Sequence, residues 1–84
     1  MFGRWQRKDY LERNHGRFFV STVELPRDMI TEDHPFETMV FPMDPDGTIV
    51  FMELFCGRYG SREEAERGHE DVLSRFDPMT RSLQ

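Results

Sequence analysis

Residues 48–56, TIVFMELFC, form the longest predominantly apolar run in the chain. As a strand the run is apolar on both sides. Alternation puts Val50, Met52, Leu54 and Cys56 on one face and Ile49, Phe51 and Phe55 on the other. Such a strand is ordinarily central, or covered on both faces. The chain has only 84 residues with which to do this. That length makes one domain, and a domain so small buries roughly 60–65% of the surface its unfolded form exposes. One helix covers one side of a small sheet. The apolar surplus on the other side must meet the N-terminal arm, a second copy or a partner.

The segments before the run supply the rest of a sheet. RFFVSTVEL, 17–25, is dense in Phe, Val and Thr and reads as a first strand. Pro26 ends it, because a ladder needs an N–H that proline lacks. PRDMITEDHP, 26–35, is a polar connection, and FETMVF, 36–41, is the second strand. DPDG, 44–47, then signals a hairpin into 48–56. Pro45 sets φ for the first central position, Asp46 suits the second and Gly47 suits a left-handed exit.

The C-terminal third is helical. Ser61 and Glu64 have the spacing of a capping box, and Glu63, Glu64 and Glu66 complement the positive end of the helix dipole. The apolar stripe runs Ala65, His69, Val72, Leu73, Phe76. Asp77-Pro78 closes it, and MTRSLQ reads as a frayed tail. Gly68 sits at the stripe's edge, although glycine costs about 1 kcal/mol against alanine in a helix interior. Close approach of helix to sheet, helped by Ala65, is a compensation. His69 within the stripe then needs a buried hydrogen-bond partner, for which Glu37 and Thr38 on the second strand are candidates. A neutral partner leaves desolvation to depress the imidazole pKa, whereas a carboxylate such as Glu37 raises it. The expected fold is α+β. It has a three-stranded antiparallel meander, a C-terminal helix packed on one face and a short N-terminal arm or helix. The arm covers 1–16, the α+β domain 17–77 and the tail 78–84.

Charge is distributed unevenly. Residues 1–17 hold five basic and two acidic side chains, a net +3; the rest hold six and fourteen, a net −8, which together give the chain's −5. A basic arm on an acidic body can bind phosphates, an acidic partner, or its own body. Nucleic-acid binding would use Arg4, Arg7, Lys8 and Arg13, with Trp5 or Tyr10 stacking on bases. The acidic body and the lack of a reading helix weigh against it. The helix face with Glu63, Glu66, Glu70 and Asp71 could occupy a nucleic-acid-binding partner, though such faces are ordinarily just solvated. NHG, 14–16, breaks the arm from the first strand, with Asn14 or Gly16 suited to a left-handed position. No stretch approaches the ~20 apolar residues of a membrane helix, and the N-terminus has no signal-peptide core. A soluble, intracellular protein is expected.

Few chemistries fit. One cysteine excludes an internal disulfide and a four-cysteine site. A Cys56–His69 pair is conceivable, but no glycine-rich elbow and no third group to orient the base accompany it. Cys56 reads instead as a small buried apolar residue. His15, His34, His69 and Cys56 are far apart in sequence and form no close ligand pair. DPDG lacks the alternating acids of a calcium loop, and Glu32 to His34 read as solvated loop. The six glycines are scattered and make no phosphate loop or dinucleotide fingerprint. No metal, cofactor or catalytic residue is expected, and His69 is expected to be structural.

FVSTVELP, FETMVF and a helix opening YGSREEAERGHEDVL together resemble a group of small bacteriophage proteins, mainly of phages infecting actinobacteria. The resemblance covers about 17–76 and is most specific over 36–41 and 64–70. It departs at Glu24, where the pattern has an apolar residue. It implies a phage context and the host cytoplasm, with the virion as an alternative, and no mechanism. The functional expectation is a non-catalytic interaction protein that binds a protein partner or itself and tunes host machinery or defence. A minor virion or assembly component held by its basic arm is the alternative, and a small Cys/His enzyme the third.

Overall fold

A computed structural model describes residues 4–13, 16–26 and 33–84. Four strands run in a simple antiparallel meander, β1 (Gln6–Arg13), β2 (Gly16–Glu24), β3 (Phe36–Met43) and β4 (Phe55–Tyr59), in the spatial order β1-β2-β3-β4. The helix α1 (Arg62–Arg75) follows, then a short hairpin of β5 (Phe76–Asp77) and β6 (Ser82–Leu83). The α+β class is as expected, but the sheet has four strands where three were expected.

The additional strand is the basic arm. β1 pairs with β2 along its whole length, from Gln6 opposite Val23 to Arg13 opposite Gly16. Its sequence hides this because the side facing the helix is Arg7, Asp9, Leu11, Arg13, and only Leu11 is apolar. An edge strand reaches just the margin of the helix, where polar side chains find partners on the helix instead of apolar contacts. Arg13 donates to the carbonyls of Phe76 (3.2 Å) and Leu73, satisfying acceptors left open at the helix C-terminus. Arg7 pairs with Glu70 at 2.5 Å. Asn14 lies outside the described residues, and among the described glycines only Gly47 has positive φ, so Gly16 makes no left-handed turn.

Strand pairing sorts the side chains of β2 and β3 cleanly. Val20 stands opposite Val40 and Thr22 opposite Thr38, and all four are fully buried under the helix. Phe19, opposite Phe41, and Ser21, opposite Met39, point to the other face. The core gathers Leu11, Phe18, Val20, Val40, Val72 and Phe76, with Leu54, Phe55, Leu73 and Leu83 packed around it.

The 48–56 run departs most from expectation. The DPDG turn forms: Gly47 donates to Asp44 (2.9 Å) and has φ 93°, and Met43 bridges Ile49. Continuing that register would set Glu53 opposite Met39, but Cys56 stands there. The chain therefore takes in three extra residues, turning at Met52, whose N–H donates to Val50 (2.7 Å). The shift brings Phe55, Gly57 and Tyr59 under the helix, on a strand that is the edge of the sheet. It leaves Phe51 76% and Met52 60% exposed. The N-terminal arm cannot cover them, because β1 lies at the opposite edge of the sheet.

The helix begins as expected. The Ser61 hydroxyl accepts from the Glu64 N–H (3.1 Å), and Glu64 reaches back to the Gly60 N–H (3.1 Å), one residue before the cap itself. The tail is not frayed: Asp77 accepts from the Met79 N–H (2.9 Å), the chain reverses, and Leu83 packs on the core.

Candidate functional site

The sheet has one face sealed by the helix and one face, here called open, against which no described element packs, and each carries a group of residues with functional potential. On the sealed side the core divides in two. Its apolar half lies under the C-terminal part of the helix, while the N-terminal part rests on Thr22, Thr38, Gly57 and Tyr59. Both glycines are required by the Tyr59 ring: a Cβ on Gly68 would fall 2.3 Å from it, and one on Gly57 would fall 2.7 Å from its hydroxyl. The mid-helix glycine thus has the close-packing role expected of it, with Tyr59 as the group it admits.

His69 is fully buried in this half. Its Nδ1 lies 2.6 Å from Thr22 Oγ1 and its Nε2 2.8 Å from Asp9 Oδ2. Thr22 Oγ1 is in turn 2.5 Å from Thr38 Oγ1, and Thr38 is near enough to the Tyr59 hydroxyl to favour its ionised form against the effect of burial. An ionised Asp9 can only accept, so Nε2 carries the proton and Nδ1 accepts from Thr22. Thr38 then donates to Thr22. The Thr22 hydroxyl donates once and accepts once, and no buried side-chain polar atom among the described residues lacks a partner.

The imidazole is neutral in this arrangement. Burial pushes its pKa below 6.5, ahead of the raising effect of the Asp9 bond. Arg7 explains why the carboxylate does not prevail. Its Nε sits 3.2 Å from the same Asp9 oxygen, and its charge disfavours a second cation nearby. Of the partners expected from sequence, Thr38 is one hydroxyl removed and Glu37 is not involved. Glu37 projects from the opposite face, where it is buried, accepts from Cys56 Sγ (3.4 Å) and pairs with Arg58 (2.9 Å). Asp9 went unrecognised in the sequence because the arm was not read as a strand, and Thr22, on a strand that was read, because partners for His69 were sought on the next one.

Asp9, His69 and Thr22 have the connectivity of a carboxylate–imidazole–hydroxyl triad. They lack its access, since neither Thr22 nor His69 presents any surface. A hydroxyl nucleophile must reach a substrate carbonyl, and here the helix lies on it. Cys56 does not join the imidazole either: it pairs with Met39 in the ladder and faces away from the helix. It is exposed, contrary to the expectation of a buried thiol. Partial burial of the sulfur and the Glu37 carboxylate push its pKa up, away from the reactive thiolate. Among the described residues no group of three His, Cys, Asp or Glu could hold a metal ion. His15 and Glu32 lie outside the described residues.

The open face carries a row of aromatic rings laid across the strands. Tyr10 tilts on Phe19 (centroids 5.5 Å apart), Phe19 stacks on Phe41 (6.4 Å), and Phe41 meets Phe51 edge to face (5.2 Å). Met39 and Met43 flank the row on β3. Tyr10 is 65% exposed. No sequence motif announces this row, because its members come from four separate segments.

The cations expected to reach a phosphate are largely engaged within the chain. Arg4 donates to the Leu25 carbonyl (3.0 Å), and Arg7 and Arg13 meet Glu70 and the helix end. Trp5 is packed edge to face on Phe36 and lies under the Arg62 guanidinium, 5.2 Å from its ring centroid, so it is no free platform for a base. Lys8 is exposed and makes no ion pair among the described residues. No helix is long and apolar enough to cross a membrane. No protein-family model, curated protein or solved structure matches the chain.

Proposed function

We propose that this chain is a non-catalytic interaction protein that binds protein through the open face of its sheet. In line with the resemblance of its motifs, it would serve a bacteriophage in the host cytoplasm by tuning host machinery or defence. One observation carries the reading: on a sheet face against which no described element packs lies an aromatic row whose inner ring, Phe19, is buried among its neighbours and whose two ends, Tyr10 and Phe51, are exposed. Large exposed apolar patches mark contact surfaces, and aromatic side chains are enriched at the centres of protein interfaces. A virion component anchored by a basic arm has less support, since Arg4, Arg7 and Arg13 are engaged within the chain and the arm itself is a strand.

Binding and chemistry separate in an affinity experiment with bacterial lysate. Tyr10→Ser combined with Phe51→Ser alters only exposed side chains and should leave the melting temperature nearly unchanged. A partner retained by wild type and by Cys56→Ala, and lost from the double variant, is the expected result. Loss on Cys56→Ala alone, in a protein that stays folded, would return the thiol to consideration as a working group.

A further inference from the structure

Resting on that reading, we infer that the occupant of the open face is a second copy of the same chain. The two faces stack about a two-fold axis that runs across the strands through the aromatic row. Three observations lead there.

The first is size. The molecule is a slab, 36 × 27 × 17 Å, and the sheet forms its broad side. Four strands at ~4.8 Å spacing, up to nine residues long at ~3.3 Å per residue, give a sheet face of roughly 500–600 Å², below the ~800 Å² per partner of a standard interface and in the range of a concentration-dependent dimer.

The second is the absence of a net field. The acids and bases at the two ends of the face are already matched within the chain, Glu12 with Arg17 (3.3 Å) and Glu37 with Arg58 (2.9 Å). A polyanion or a strongly charged protein finds little to attract it. A neutral face with an apolar centre and polar ends suits contact with itself.

The third fixes the axis. On β1, Lys8 and Glu12 stand two residues to either side of Tyr10, and on β3, Met39 and Met43 stand likewise about Phe41. A two-fold through the aromatic row therefore sets Lys8 against Glu12 of the other copy and Met39 against Met43 of the other copy. An axis along the strands would instead lay β1 over β4. Lys8 would then meet Cys56, beside a Glu37 already held by Arg58. Glu12 also meets Arg17 but keeps 76% of its side chain exposed and can take a second cation, whereas Glu37 keeps 8%, so the first arrangement is the one that gives Lys8 an accessible acid; stacked sheets commonly lie about 10 Å apart.

Sedimentation of the full chain from micromolar to millimolar concentration, with maleimide labelling of Cys56 in parallel, tests this. A dimer is expected, weakened about tenfold by either Lys8→Glu or Glu12→Lys and restored when both changes are combined. Arg67→Glu, on the exposed side of the helix, should have no effect. Labelling of Cys56 should slow as the dimer fills. A dimer indifferent to the charge changes overturns the proposed axis, and a monomer at all concentrations overturns self-pairing. A monomer whose Cys56 labels freely leaves the face open to another protein. A monomer whose Cys56 resists labelling even at alkaline pH, where its raised pKa no longer protects it, shows the face to be covered, and the interaction reading falls with it.

Discussion

Replacing His69 by Ala is expected to cost about 3–5 kcal/mol and to lower the melting temperature by well over ~10 °C. Two effects combine. The change empties the volume of a fully buried ring. It also leaves Thr22, which donates to Nδ1, and Asp9, which accepts from Nε2, without their partner. A domain this small has on the order of 4–12 kcal/mol in total, so the variant should be substantially unfolded on mild heating. The pH dependence should change as well. The folded ring has its pKa pushed below 6.5, so the unfolded chain takes up the proton first. The contribution is full above that value and declines as pH falls below it, until the folded ring protonates too. Chemical denaturation of wild type and His69→Gln at several pH values isolates this slope from that of the other two histidines. A loss under 1 kcal/mol for His69→Ala, or identical pH profiles for wild type and His69→Gln, would show that the relay does not hold the helix to the sheet.

Gly68→Ala should destabilise the fold by about 1–3 kcal/mol, although alanine is the better helix former by about 1 kcal/mol. The added methyl would lie 2.3 Å from the Tyr59 ring, far inside contact distance. The ring cannot simply swing aside, because it is held between Gly68 and Gly57. Pairing the change with Tyr59→Ala should recover much of the loss, since the methyl then has room. Denaturation midpoints of the two single variants and the double variant give the coupling. A Gly68→Ala protein as stable as wild type, or a double variant whose losses simply add, would mean that the ring is not what requires the glycine.

These two residues also show how far the sequence could be read. The helix, its Ser61 cap and the burial of Ala65, His69 and Val72 follow from periodicity and capping chemistry, which are local. The inner strands follow from β-branched and aromatic density. The partners of His69 do not follow. Asp9 lies 60 residues away on a strand whose inward side is polar, and a period-2 pattern with one apolar residue carries no hydrophobic signal. The register of β4 was likewise beyond local reading. Alternation alone favours Val50, Met52, Leu54 and Cys56 as one face. What displaces them is the demand for Gly57 opposite Thr38, so that Tyr59 can lie on Gly68. That demand is tertiary. The apolar surplus inferred from 48–56 was real, and the three-residue shift decides where it appears, at Phe51 and Met52 on the surface.

The proposed division between a sealed, structural face and an open, binding face is tested most directly by placing a photo-crosslinking amino acid at single positions and irradiating cells that make the protein. Position 51 reports on the open face and position 67 on the exposed side of the helix. Adducts at position 51, to a second copy or to another protein, that vanish when Tyr10→Ser is added, with none at position 67, are the expected result. Adducts at position 67 and none at position 51 would place binding on the helix and contradict the assignment of the open sheet face.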